Sequence, residues 1–250
     1  MKKALIYTLI FIGIQFVAGG LVTLAFQLSG GNGTGATALM ITSAAASIVT
    51  VIVFLVAKWA IVSRHWLQTR PWFVLFWCVV ASLGALVPSM WLQELMPELP
   101  NTAEEAFDMI MKDRLGYFVV GLFAPLTEEL VFRGAILKAL LQWKPNPWVG
   151  IVISALLFAL VHMNPAQMPH AILVGLLLGW MYYRTDSIIP GVVYHWVNNT
   201  VAYVMYNLYP DPDMTLVELF GSQRSVLMAL AFSLCIFLPA LYQLNLRLKK

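Results

Sequence analysis

Residues 115–142 read LGYFVVGLFAPLTEELVFRGAILKALLQ. The run is longer than the roughly 20 apolar residues that a helix needs to cross a bilayer. Yet Glu128, Glu129 and Arg133 sit near its middle. Ionisable groups in mid-membrane are costly and face a cavity or a partner rather than lipid. The stretch therefore predicts a membrane helix inside a bundle of others, not a lone anchor. Further apolar runs flank it at 5–28, 38–62, 72–92 and 225–246. Downstream, Lys144-Pro145-Asn146-Pro147, Asn164-Pro165 and Arg184-Thr185-Asp186 cut the apolar chain into helices at about 148–163, 168–183 and 188–208. The expected fold class is all-α, a polytopic membrane protein built as a bundle of about eight transmembrane helices. Residues 1–250 form one transmembrane domain, and 115–208 carry its chemistry.

Composition agrees. The 250 residues are 60% hydrophobic and 11% charged, where a soluble domain carries roughly 25% charged residues. Mean hydropathy is +0.80. A soluble globule of this size must keep its outside largely polar, so a soluble domain, a disordered chain and a nucleic-acid binder are excluded. Cys78 and Cys235 both lie in apolar runs and imply neither a disulfide framework nor a metal site. Met1-Lys2-Lys3 and the apolar run behind it resemble a signal peptide. The run is too long for one and lacks an A-x-A-like site, so an uncleaved first helix is expected.

Charge bias sets the orientation. With the N-terminus in the cytoplasm and the helices alternating, Lys2, Lys3, Lys58, Arg64, Arg70, Lys138, Lys144, Arg184, Arg247, Lys249 and Lys250 fall inside. Only Lys112, Arg114 and Arg224 fall outside, and Arg133 lies within a span. This obeys the positive-inside rule. It predicts an integral protein of a bacterial-type plasma membrane with both termini cytoplasmic. The acidic segment 93–113 is expected outside, as a partly helical amphipathic stretch.

The polar residues that break the apolar rule cluster in the central helices: Glu128, Glu129 and Arg133, then His162, then His195, Asn198 and Asn199. Glu129 and Arg133 are spaced i,i+4 with the acid first, so they can pair. Glu128 is turned about 100° away from Glu129. A carboxylate without a dedicated partner in an apolar setting suits a general base. His162 precedes Met163-Asn164-Pro165, where a proline frees backbone groups. His195 and Asn199 share a helix face. Each feature alone has a structural reading: an ion pair, a core histidine, an interhelical hydrogen bond. Gly175-x3-Gly179 reads as close helix packing within the chain.

Glu128-Glu129-x3-Arg133, Phe158-x3-His162 and His195-x3-Asn199 resemble, in order and spacing, the three motifs of the CPBP family, the type II CAAX prenyl proteases and bacteriocin-processing or immunity-associated intramembrane proteases. The resemblance covers about 120–205. It implies an eight-helix core with a site open to the cytoplasmic side, and hydrolysis of a peptide bond in a membrane-associated peptide or protein substrate, prenylated or not. It assigns Glu128 with His162 to water activation, His195 and Asn199 to the oxyanion, and Glu129 with Arg133 to support. Ser154 and Ser187 lack the signature of a nucleophile. A zinc set of Glu128, Glu129, His162 and His195 is the alternative. With no HExxH pair and with Arg133 nearby, a metal-independent mechanism is preferred. At roughly 1.5 Å per residue, His195 lies about 10 Å from its inner helix end and His162 about 21 Å from its own, which calls for a broken or tilted fifth helix.

Two other classes fit the same polar residues: a proton-coupled membrane transporter using them as a relay, and a non-catalytic immunity or scaffold protein. No internal repeat supports the transporter. The topology is directly testable. Reporters fused at Lys250 and in the loop at Ser29 should report opposite sides of the membrane, and the same side for both would refute eight spans.

Overall fold

A computed structural model describes residues 1–63, 71–209 and 214–248. Arg64, Arg70, Lys249 and Lys250 of the basic set lie outside the described residues. Among those described, all regular structure is helical. The long helices are α1 (Lys2–Leu28), α2 (Ala36–Val56) and α3 (Trp72–Glu94). A short α4 (Glu104–Met111) precedes α5, which runs without a break over 118–141. Then come α6 (Pro147–Leu160), α7 (Met168–Thr185), α8 (Ile189–Leu208), a short α9 (Leu216–Phe220) and α10 (Gln223–Arg247).

Each segment expected to be a membrane helix contains a helix, although α2 ends at Val56, short of the expected 62. Four of them, α1, α2, α3 and α10, are long and apolar enough to cross a membrane. α6, with 14 residues, is apolar but short. The fifth expected span, α6, which the depth arithmetic expected to be broken or tilted, is continuous. It stops at Leu160, and His162 lies in the turn beyond it. Asn146 opens α6 by accepting the Trp148 N–H, and Pro147 supplies a first residue that needs no N–H partner.

α5 is the inner helix. Leu130, Val131, Phe132, Ile136, Leu137 and Leu140 on it form one core with Phe11, Phe54, Ile151 and Phe158. A second core joins Val74 and Cys78 of α3 to Leu178, Tyr194 and Leu244. α3 packs mainly along α10, α6 along α7, and α1 along α2. The outer surface is apolar: Leu9, Phe16 and Leu21 of α1 are each more than 60% exposed. Apolar side chains turned outward along a long helix are what lipid, rather than water, accommodates. Cys78 is buried, Cys235 is exposed, and both are free.

Helix ends assigned to one side by charge meet at one end of the bundle. Arg184 at the end of α7 donates to Asn245 and to the Leu248 carbonyl at the end of α10. A cavity of about 620 Å³ at that end is lined by Ser63, Lys138, Gln142, Tyr182 and Asp186, among others. The acidic segment packs at the other end. Tyr203 and Asn207 of α8 donate to the carbonyls of Asp113 and Met111. Lys112 and Tyr206 hydrogen-bond Asp108 and hold its carboxyl below the usual carboxylate range.

The Gly175–Gly179 stripe packs within the chain, as expected. A Cβ on Gly175 would lie 2.9 Å from the Ala155 Cβ, and one on Gly179 3.0 Å from the Ile151 side chain. Gly175→Val should therefore overpack the α6–α7 contact and destabilise by about 1–3 kcal/mol. Gly13→Ala, where a Cβ meets nothing within 4 Å, should not lower the midpoint of thermal unfolding in detergent.

Candidate active site

α5 departs from α-geometry where the first motif lies. Phe118–Phe123 and Glu129–Leu137 are wound as π-helix, separated by an α-turn at Ala124–Glu128. Such i→i+5 winding is rare and favours functional positions. All nine residues of Glu129–Leu137 are buried.

Glu129 Oε1 accepts two charged or polar donors. Arg133 Nη1 lies 2.8 Å from it and His195 Nδ1 3.1 Å. Glu129 is fully buried and Arg133 is 1% exposed. Arg133 Nη2 reaches the Gly175 carbonyl at 3.3 Å, and its guanidinium stacks 4.6 Å above the Phe158 ring. One ion pair thus ties α5 to α6, α7 and α8. Glu129 Oε2 has no hydrogen-bond partner among the described residues. A Cβ at position 191 would stand 2.7 Å from that oxygen, so Gly191 gives the carboxylate its space.

His195 faces both acids. Because a carboxylate only accepts, Nδ1 carries the hydrogen donated to Glu129. Nε2 then points towards Glu128 Oε2, 3.7 Å away. Glu128 is about one-fifth exposed, unlike its neighbour. The expected Glu129–Arg133 pair is present. The expected separation of the two acids is not complete, since one imidazole touches the surroundings of both.

His162 turns its Nδ1 to the Phe158 carbonyl at 2.7 Å. Its ring packs edge-on against Phe158, which also meets His195 edge-on. Asn199 Nδ2 donates to the Val120 carbonyl at 2.9 Å. Pro125 is five residues beyond Val120 and has no N–H to return in π-register. Asn199 fills that vacancy. α8 therefore presents Gly191, His195 and Asn199, each four residues apart, along α5. Ser154 donates to the Phe132 carbonyl and Ser187 sits in a turn with Thr185, so both are structural.

Sequence reading missed three residues. Gly191 could have been found as the residue four before His195 on the same face. His170 and Ser89 carried no motif signal. They form a 2.7 Å hydrogen bond, and His170 lies within electrostatic reach of His162 and His195.

The donors of the alternative zinc set are partly engaged elsewhere. Among the described residues, no three His, Cys, Asp or Glu side chains gather to hold a cation. Glu129 Oε1 is already shared by Arg133 and His195, and the His162 Nδ1 is bound to backbone.

The comparisons with known proteins meet this geometry. The sequence model of the type II CAAX prenyl endopeptidase Rce1-like family matches residues 111–201. That segment is similar to the Rce1-like family over about a third of the chain. It contains α5 through most of α8, and so every motif residue. "UPF0177 protein YxdF" of Lactococcus lactis is 25% identical over 158 residues, covering 60% of this chain and 86% of that protein. "Putative membrane peptidase YdiL" of Bacillus subtilis is 31% identical over 111 residues, 43% of each chain. No solved structure matches. The Rce1-like match and the peptidase relative support a membrane protease in general terms.

The two acids should separate in stability. Glu129→Gln leaves Arg133 buried with a weakened partner and should destabilise by about 3–5 kcal/mol. Glu128→Gln, partly exposed, should keep the parental melting midpoint. Equal losses from both would refute the division between a buried brace and an accessible acid.

Proposed function

We propose that this protein is an intramembrane endopeptidase that hydrolyses a peptide bond of a membrane-associated substrate with water activated by Glu128. The observation that supports this most is the approach of Glu128 Oε2 to His195 Nε2 at 3.7 Å, with the other imidazole nitrogen held by Glu129. The pair frames one space with a proton acceptor on one side and a donor on the other. Charge balance suits the task. Glu129 offsets Arg133, and a protonated His195 offsets an ionised Glu128.

In this mechanism Glu128 takes a proton from water as the water oxygen adds to the scissile carbonyl carbon. The carbonyl oxygen becomes an oxyanion, held by His195 Nε2–H and by the second N–H of Asn199. The tetrahedral intermediate collapses as the C–N bond breaks, and the proton held by Glu128 passes to the leaving amine. His162, with Nε2 available, assists the proton transfers. Glu129, held by Arg133, accepts from His195 Nδ1–H and keeps the ring in the required orientation. No covalent nucleophile takes part, and no metal is invoked.

The substrate enters from the lipid phase. A prenylated C-terminus is the first class to try, from the description of the Rce1-like family; unprenylated membrane-anchored peptides are the second. The lipid bilayer is an obligatory partner, and both termini are assigned to the cytoplasm by the basic-residue bias.

A farnesylated peptide ending in C-A-A-X, reconstituted with the protein in liposomes, should lose its last three residues. Glu128→Gln should abolish the release. Losing the His195 donor should cost about 10²–10³-fold. Turnover should survive exhaustive chelation. Cleavage that persists in Glu128→Gln would overturn the assignment of the base. Activity and one equivalent of zinc lost and regained together would overturn the metal-independent mechanism.

A further inference from the structure

We propose that His170 is a positioning residue: as the neutral Nδ1–H tautomer it fixes, through Asn198, the carboxamide of Asn199 that faces the reacting carbonyl. This rests on the role given to Asn199 above, although the tautomer itself does not.

The tautomer follows from a chain of donors anchored on a backbone carbonyl. The Val120 oxygen can only accept, so the group of Asn199 lying 2.9 Å from it is the NH₂. The other group of that carboxamide is then an oxygen, which also only accepts. The Asn198 group 3.3 Å from it must therefore be NH₂. That same nitrogen lies 3.4 Å from His170 Nε2. Two donors cannot share that contact, so Nε2 holds a lone pair and the ring proton resides on Nδ1. Nδ1–H then donates to Ser89 Oγ at 2.7 Å. Val120, Asn199, Asn198, His170 and Ser89 thus form one directed series across α5, α8, α7 and α3.

The direction of the series decides between two roles for the Ser89–His170 contact. A short serine–histidine hydrogen bond is the geometry of a nucleophile and its base. Here the serine oxygen accepts and the imidazole donates, so His170 cannot take the serine proton. The pair orients instead. Protonating His170, or replacing it with an apolar side chain, removes the acceptor that holds the Asn198 amide. Asn199 is then free to rotate, and its second N–H is no longer fixed for the oxyanion.

The test has two arms. Histidine-labelled (¹⁵N) protein in detergent micelles at neutral pH should show His170, assigned by its loss in His170→Gln, protonated at Nδ1 and bare at Nε2. An Nε2–H or doubly protonated ring would overturn the proposal. In liposomes with the farnesylated C-A-A-X peptide, His170→Leu should lower kcat by about 10-fold or more, a fraction of the loss from removing an oxyanion donor, with KM little changed. His170→Gln, whose carbonyl can accept from Asn198, should recover part of that rate. Ser89→Ala should lose less than His170→Leu. The double variant His170→Leu/Asn199→Ala should be no slower than Asn199→Ala alone. Additive losses, a change borne by KM, or abolition by Ser89→Ala would each overturn it. An unaltered His195 signal in His170→Leu shows that the variant is folded. If the parent protein cleaves neither this peptide nor unprenylated ones, the protease proposal fails while the tautomer arm still decides the donor series.

Discussion

A carboxylate buried in an apolar bundle must be paired, and the pairing of Glu129 organises this molecule. Its Oε1 holds Arg133 on the same helix and His195 on α8. Arg133 in turn reaches the Gly175 carbonyl of α7 and the Phe158 ring of α6. Four helices meet on one charge. The low dielectric that makes an unpaired charge costly there also makes each of these contacts strong. The small residues around the knot follow from it. Gly175 lets α6 and α7 approach, and Gly191 leaves room for the second carboxylate oxygen.

The knot also sets how His195 is oriented. With Nδ1 occupied by Glu129, the other nitrogen of His195 is directed at Glu128. The accessible acid and the oriented imidazole are therefore consequences of the buried acid beside them. The π-winding that begins at Glu129 belongs to the same solution. Glu129 stays in reach of Arg133 while both acids approach one imidazole. The second π-segment, ahead of Pro125, exposes the Val120 carbonyl that Asn199 satisfies. Backbone irregularity here creates the acceptors and angles that the polar side chains use.

Much of this was legible in the chain. Apolar run length marked each long helix, because a bilayer demands length. The prolines and charged breaks marked the ends of α5 to α8. The i,i+4 spacing gave Glu129–Arg133 and the shared face of His195 and Asn199, because these are contacts within one helix. The Gly175–Gly179 stripe announced close packing. Less legible was the depth of His162. Helix length alone suggested a broken or tilted span there, and α6 ends early at Leu160, with His162 in the turn beyond it.

The sequence by itself determined that the chain is helical and membrane-bound, where its helices run, and that its polar groups gather in three central motifs. These depend on composition and on spacing along one helix. Only the tertiary structure decided which imidazole nitrogen faces which acid, that Gly191 borders Glu129, and that His170 and Ser89 join Asn198 and Asn199. Those contacts join residues tens of positions apart. They depend on the rotation and closeness of packed helices and on π-register in α5, which no local period encodes.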